Sequence, residues 1–367
     1  KTGYRIISEN SDGFTIEFSV GEISYAPVMT EKGEFLKIGF SGSQSSHDIG
    51  GPDLPVFREL TGFPEGSEPT VKILSYDEEE IFLGDFGINS KIYPSQPGYS
   101  KSSKPEDRKF IYNENAYNSK SYIASGSASI TKSGNMRGVD VGVLEIRPIT
   151  YNPSANSLII RTNITAEITY NGSGNDLYGS MAENYSPFFE NAFSKLINIK
   201  SSPLKSDLVQ YPVTYLILAN ANLEGNAKLQ EFIDWKTQKG FNVITNFVSS
   251  SSSISVNDAW VESQYGSLSP KPSFLLIVGD HDGTYGVLSE VNPALGSAGS
   301  VTRSDLLYGV MGPTAFNNRI PSIYVGRFSV RSEAELTAQV DKTLWYEKTQ
   351  FTSGADLSYL SNVVGVA

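Results

Sequence analysis

Two histidines and no cysteine set the first limit on the chemistry of these 367 residues. Without a thiol there is no disulfide, no thiolate metal site and no cysteine nucleophile within the sequence. His47 lies among serines and glycines. His281 closes the run Phe274-Leu-Leu-Ile-Val-Gly-Asp-His281. Neither has a thiol or an evident acid partner, so both read as loop histidines near solvent rather than as general bases. Asp280 directly follows a buried apolar run, at the edge where parallel sheets hold their ligands; the plainer role is to cap the next turn. Asp305 either orients a ligand or metal or closes a turn. Asp77-Glu-Glu-Glu80 is similar to a cation cluster, but solvated charge on a strand edge is the simpler reading. Gly279, Gly283 and Gly286 lack the spacing of a phosphate loop. Asn163-Ile-Thr165, Asn171-Gly-Ser173 and Asn184-Tyr-Ser186 match a glycosylation pattern short enough to arise by chance.

These residues sit on two kinds of scaffold. Up to about Tyr170, short runs alternate apolar and polar residues: Gly13–Val20, Glu34–Phe40, Thr70–Tyr76, Val141–Arg147, Ser157–Thr162 and Ile164–Tyr170. Turn residues separate them, which predicts a β-rich domain of sandwich or barrel-like form. The Pro-, Ser- and charge-rich stretch from Ile92 to Asp107 reads as a long exposed loop, and such loops are usually functional. Phe188, Phe189, Phe193, Leu196 and Ile197 predict a helix within Met181–Ile199. Lys200–Asp207 is polar, holds Pro203, and is the natural linker. Beyond it the period changes. A continuous apolar run at Tyr215–Ala219 and further strands at Phe241–Val248, Phe274–Val278 and Ile323–Phe328 alternate with helical patterns, and Asn362–Ala367 begins another strand. Ser255 is placed to cap one helix, and Ser332 with Glu335 to open another. Trp235, Trp260 and Trp345 fall on these helices and are expected in the core. Strand–helix alternation with wholly apolar strands means a parallel α/β sheet. The expected domains are therefore 1–205 and 206–367, and the sheet of the second is expected to be incomplete at its C-terminus.

Composition narrows the partners. Hydrophobic residues make up 39% and charged residues 19%, a globular balance that leans towards an extracellular surface. The net charge of -11 disfavours nucleic acid and anionic membranes. No apolar run has the length of a membrane span. The chain starts at Lys1 without a signal-like segment, so any secretion signal is expected to have been removed or never present.

Several motifs in one order carry a resemblance to a known family. They are Tyr215-Leu-Ile-Leu-Ala219, Leu229-Gln-Glu-Phe-Ile-Asp-Trp-Lys236 with Lys239-Gly-Phe241, and Phe274–His281. Then come Ser304-Asp-Leu-Leu-Tyr-Gly309, Ile323-Tyr-Val-Gly-Arg-Phe328, and Gln339-Val-Asp-Lys-Thr343 with Tyr346-Glu347. In the first half, Gly51-Pro-Asp-Leu-Pro55 and Tyr151-Asn-Pro153 with Leu158-Ile-Ile-Arg161 do the same. On these residues the chain resembles the gingipain-like cysteine peptidases, as a prodomain followed by the N-terminal part of the catalytic domain.

The resemblance implies a caspase-like α/β fold, protein or peptide substrates cleaved after Lys or Arg, and a bacterial protein that is secreted or at the cell surface. It implies that the catalytic His and Cys lie beyond Ala367, so no catalytic residue is assigned here and the C-terminal remainder is a required partner. It implies calcium as a candidate cofactor at Asp280, with other ligands falling near Asn318 and Ser322, here an amide and a hydroxyl. It implies maturation cleavage in Lys200–Ser206, after Lys205 or Lys200. It also implies that Lys101, with Lys104, occupies the specificity pocket in the latent state; otherwise these lysines only solubilise a loop. Two other functions remain open on these residues: a sortase-like transpeptidase of a bacterial secretion system, and a catalytically inactive surface binding module.

Overall fold

In the N-terminal half the two-residue alternation becomes strands with one buried face. In chain order these are β1 (Gly3–Asn10), β2 (Gly13–Ser19), β3 (Ile23–Thr30), β4 (Gly33–Phe40), β5 (Gln44–Ser45) and β6 (Pro55–Pro64). There follow β7 (Glu68–Phe82), β8 (Lys91–Ile92), a short helix α1 (Glu114–Tyr117), β9 (Ala128–Met136), β10 (Val139–Ile146), β11 (Ile149–Asn152) and β12 (Ser157–Asn171). This computed structural model describes residues 2–99, 103–123, 128–172, 176–199, 212–292, 302–312 and 320–349, with Gly354 and Ser358. The chain divides into two compact units. The first gathers residues 1–134, 138–180 and 191–203; the second gathers 135–137, 181–190 and 204–367.

Three sheets make up the β-rich part: β1-β2-β12-β11 with β7 also on β12, β5-β6-β10-β9, and β3-β4-β8. They share one core. Phe14, Ile16 and Phe18 of β2 meet Leu36, Ile38 and Phe40 of β4, Phe57 of β6, Leu144 and Ile146 of β10, and Ile164, Ala166 and Ile168 of β12. Each of the Phe, Leu and Ile side chains contributes about 1.5–3 kcal/mol by leaving water. Among the described residues the sheets do not close into a barrel.

Three sequence expectations change here. The runs at 157–162 and 164–170 are one bent strand. Asn163, at φ 50°, sits where the β12–β7 register slips, a bulge of the kind Asn tolerates. β7 runs past the expected end at Tyr76 through Asp77–Glu80, which pair across β12 and are exposed, the strand-edge charge read from sequence; Glu78 bonds Arg161 at 2.9 Å. The loop after Ile92 is exposed only in part. Pro94 and Ser95 are buried, and Ser95 exchanges backbone bonds of 2.8 Å with Gly50 and Gly51, while Asp53 donates its N–H to Tyr93. The Gly51–Pro55 motif therefore clamps the base of that loop.

The helix expected over 181–199 is broken into α2 (Leu177–Glu183), a 3-10 turn (Pro187–Phe189) and α3 (Glu190–Phe193). Pro187 starts a new turn because it has no N–H for the old one. Downstream, the buried Asn198 accepts the Gly62 N–H at 2.9 Å and returns a bond to the Gly62 carbonyl at 2.7 Å. The Ile197 N–H goes to the Leu60 carbonyl of β6 at 2.9 Å and so leaves the helix ladder.

In the second unit the apolar runs become β13 (Thr214–Asn220), β14 (Asn242–Val248), β15 (Phe274–Val278) and β18 (Tyr324–Phe328), with a small hairpin β16 (Glu290–Asn292) and β17 (Thr302–Ser304). The four long strands are parallel in the order β14-β13-β15-β18. Helices α4 (Ala227–Gln238), α5 (Ile254–Ser267) and α6 (Glu333–Thr349) cover both faces. Ile217, Ala219, Leu276 and Val278 face Leu229 and Phe232 of α4 and Leu336, Val340 and Leu344 of α6. The alternate residues Leu216, Leu218, Leu275 and Ile277 pack with Val261 of α5. Ser253, not Ser255, caps α5, accepting the Val256 N–H. The expected strand at 362–367 lies outside the described residues.

Lys236 shares the apolar face of α4 yet is only 7% exposed. Glu347 of α6 explains it. Its carboxylate accepts from Lys236 Nζ at 2.6 Å, Trp235 Nε1 at 2.8 Å and Lys239 Nζ at 3.0 Å. The rings of Phe232 and Tyr215 stand 5.1 and 5.4 Å from the same ammonium. Trp235 is thus a polar staple, and Trp345, at 61% exposure, is not a core residue. Glu347→Ala leaves a buried ammonium unpaired. It should destabilise the second unit by somewhat less than the ~3–5 kcal/mol of a fully buried broken pair, because the Glu347 side chain is 18% exposed. Urea unfolding followed by tryptophan fluorescence measures this, and the double change Lys236→Met with Glu347→Leu should recover most of the loss.

Candidate functional site at the carboxyl edge of the sheet

β13 and β14 run to one side and β15 and β18 to the other, so the order switches between β13 and β15. Sheets of this kind open a crevice at the carboxyl ends of such strands. Here the loop after β15 lies across that point. Asn220, fully buried at the end of β13, donates to the Gly286 carbonyl at 2.8 Å, and Asn222 donates to the Thr284 carbonyl at 2.8 Å. Gly279 turns the chain at φ 143°. A Cβ there would come within 2.3 Å of the Tyr285 carbonyl oxygen, so only glycine fits.

Arg327, near the end of β18, ties these pieces together. It grips Asp305 in a bidentate pair, both bonds 2.7 Å. Nη2 also donates to Ser289 Oγ at 3.0 Å, and Nη1 donates to the carbonyls of Gly279 at 2.8 Å, Val287 at 2.9 Å and Asp280 at 3.2 Å. Ser289 also donates to Asp305 at 2.8 Å. Burial works against the Asp305 charge, but the bond and charge of Arg327 win and hold its carboxyl below the usual range. Asp305 therefore neither caps its turn with its side chain nor stands open to a ligand. Arg327 was not singled out from sequence; its signal was a lone charge inside an apolar strand run.

Asp280 has its own donors. It accepts from the His281 N–H at 2.8 Å and from Ser329 Oγ at 3.0 Å, and pairs with the Arg331 guanidinium. Burial opposes ionisation, yet these bonds keep its carboxyl far below the ordinary range. The bond to its neighbour's N–H matches the capping role read from sequence; the ion pair with Arg331 was not foreseen. His281 does have acid partners: Nδ1 lies 3.1 Å from Asp280 and Nε2 lies 2.9 Å from Asp282. His47 is far away in sequence, exposed, at φ 61°.

Asp280, His281 and Asp282 bring one ligand atom each within 4.8 Å of one another. They do not fit calcium as arranged. That ion wants six to eight oxygens, and here the cluster supplies two carboxylates and an imidazole, with Arg331 already neutralising Asp280. Ser322 cannot help. Phe274 pairs with Tyr324 and Val278 with Phe328, so Ser322 stands at the opposite end of the sheet, roughly 20 Å away at ~3.3 Å per residue. Asn318 lies outside the described residues, as do Lys101, Lys200 and Lys205. Lys104 is exposed, and its carbonyl accepts the Asp107 N–H at 3.1 Å.

Two family models match the chain end to end: the C25 propeptide over residues 4–184 and peptidase family C25 over residues 209–367. The chain belongs to peptidase family C25. The Lys-gingipain W83 of Porphyromonas gingivalis is 32% identical over 96% of this chain, which spans 20% of that relative. A gingipain R2 of the same species is 21% identical over 94% of the chain and 44% of the relative. Among solved structures, one of the zymogenic latency of gingipain K from P. gingivalis covers 47% of this chain and 94% of its own, at 32% identity and a TM-score of 0.45. The complex of RgpB pro- and mature domains covers 53% and 96%, at 21% and 0.44. The chain thus spans about a fifth of the curated Lys-gingipains it matches. This C25 chain is a β-rich part followed by a parallel α/β part, and it contains no cysteine, so the family's nucleophile is not among these residues.

The depressed carboxyls of Asp280 and Asp305 make the second unit acid-sensitive. A lowered folded pKa adds stability that is complete above the unfolded value, near 4, and is lost as pH falls below it. Asp258 on α5 works the other way. Burial first, then Glu262 and Glu290, push its carboxyl up to about 6, so its contribution declines as pH rises from about 4 through 6. All three tryptophans lie in the second unit, so their fluorescence reports it alone. Asp305→Asn should cost about 1.5–3 kcal/mol at pH 7, the worth of a hydrogen bond to a charged group. The deficit should shrink below pH 4; an equal deficit at pH 3 and pH 7 would count against this account.

Proposed function

We propose that this chain is the latent front part of a bacterial cysteine endopeptidase that is secreted or displayed at the cell surface. Residues 1–205 form the propeptide domain and 206–367 the beginning of the peptidase domain. The observation that carries this reading is the succession, in one chain, of a propeptide match and a peptidase match over two different architectures. In the complete enzyme a thiolate supplied by later residues attacks a peptide carbonyl and water resolves the acyl-enzyme. The parallel sheet, with its carboxyl edge fixed by Arg327 and Asp280, is the platform for that site. The relatives named Lys-gingipain suggest cleavage after lysine. The 367-residue chain by itself should hydrolyse no peptide; turnover blocked by a thiol reagent would overturn this.

Latency is assigned to the loop that follows Ile92. Its base is clamped by Gly51–Asp53, and Lys104, further along it, is exposed; Lys101 is the residue assigned to the pocket. A lysine suits a pocket with a carboxylate floor, since its stem packs while its ammonium pairs. Lysine instead of arginine favours an enzyme that accepts lysine, because the two are not equivalent in such a pocket. With the mature enzyme in hand, isolated propeptide carrying Lys101→Ala should inhibit at least tenfold less well than the Lys104→Ala form. Equal inhibition by wild-type and Lys101→Ala propeptides would return Lys101 to the surface.

Maturation is assigned to Lys200–Ser206, with the cut after Lys205 or Lys200. Polar, proline-containing backbone between two folded parts is where nicking concentrates. N-terminal sequencing of the mature species should begin between residues 201 and 206. A terminus within Thr214–Ala219 would exclude the assignment, because that stretch is the central strand β13.

A further inference from the structure

The second unit is not a continuous piece of chain. Two of its three stretches, 135–137 and 181–190, precede the proposed cut in sequence. A cut in the linker therefore leaves the unit held together, at those stretches, without a covalent bond. The contacts of Arg137 show by what means.

Arg137 is fully buried, at 0% exposure, among the largest enclosed side chains of the protein. It sits at φ 50° before Gly138 at φ 78°, the two left-handed positions of a tight hairpin turn between β9 and β10. Among the described residues no carboxylate bonds it. Nη1 donates to the carbonyls of Pro272 at 2.8 Å and Ser322 at 3.0 Å, and Nε donates to that of Asn184 at 2.6 Å. Nη2 reaches the carbonyls of Lys271 at 3.4 Å and Tyr185 at 3.5 Å. Its own N–H goes to Ser322 Oγ at 3.0 Å. The guanidinium centre lies 5.0 Å from the Phe189 ring and 5.8 Å from that of Tyr265. Burial lowers its pKa, but a guanidinium stays protonated, so a full charge is held by carbonyl dipoles and ring faces. Lys271–Pro272 and Ser322 lead into β15 and β18, at the amino edge of the sheet, opposite Asp280.

We propose that the carbonyls of Lys271, Pro272 and Ser322 form a guanidinium-binding cup on the peptidase half, and that Arg137 in it, steadied from its own side of the cut by the carbonyls of Asn184 and Tyr185, anchors the N-terminal half to the peptidase half after the linker is cut. This rests on the propeptide reading above. The cup is selective by geometry. Its acceptors surround a planar fork with five N–H donors, and a lysine ammonium offers three donors from one point.

The test uses the 367-residue chain with a specific protease site placed in 203–206, cut after folding. Half-to-half dissociation is measured by size-exclusion and native mass spectrometry over a dilution series. The wild-type halves should co-migrate. Arg137→Lys and Arg137→Gly, the latter suited to the left-handed turn, should each raise the dissociation constant at least tenfold. Acetyl-arginine amide at millimolar concentration should speed separation of the cut wild type, and acetyl-lysine amide should not, a readout that needs no variant to fold. Wild-type halves that separate at once, a Gly variant within twofold of wild type, or equal effects of the two amides would each overturn the anchor. None of these outcomes depends on where the natural cut falls; mapping the mature terminus tests that reading separately.

Discussion

Strand ends are the hard part of a parallel sheet. Every strand delivers its last carbonyls into a loop, where neither the ladder nor water serves them well. In the second unit Arg327 answers that problem. One guanidinium takes the carbonyls of Gly279, Asp280 and Val287 and closes on the carboxylate of Asp305. The loop after β15, the entry to the 3-10 turn at Leu306–Gly309, and β18 are thereby fixed to one side chain. A lysine at 327 could not do this, since its donors diverge from a single point. The Gly279 turn, the position of Asp280 and the covering of the switch point by residues 280–287 all depend on that fork being in place.

Much of this could be read from sequence, because burial writes a strong pattern. The parallel strands were evident as continuous apolar runs, and the β-rich half as alternation. The motifs that carried the family resemblance turn out to be joined in pairs: Lys236 with Glu347, Arg327 with Asp305 and with the backbone of Gly279–Asp280. What stayed hidden depended on contacts distant in sequence. Asp305 and Asp280 looked like candidate ligand residues because their counter-charges, Arg327 and Arg331, lie 22 and 51 residues away. Asn163 read as a strand boundary, since a left-handed bulge inside a long strand leaves only one polar residue as a trace. The helix expected within 181–199 is cut short because Pro187 and the Ile197 N–H bond to Leu60 outweigh five well-spaced apolar residues.

Arg137 and Arg327 solve the same problem at opposite edges of one sheet, with a difference that bears on activation. Arg327 has a carboxylate partner from its own side of the linker, so its charge is balanced whatever happens to residues before 200. Among the described residues the Arg137 guanidinium has carbonyls and ring faces. In water a guanidinium loses nothing by leaving such a cup except those bonds, whereas a desolvated ion pair would leave a buried charge behind. On the proposal above, an uncharged cup suits a contact that crosses the cut and can be given up. Emptied, it exposes only backbone carbonyls that water can serve. The edge within the peptidase half uses a charge pair and the edge that the proposal puts across the cut does not, a division that follows from the cost of stranding a charge.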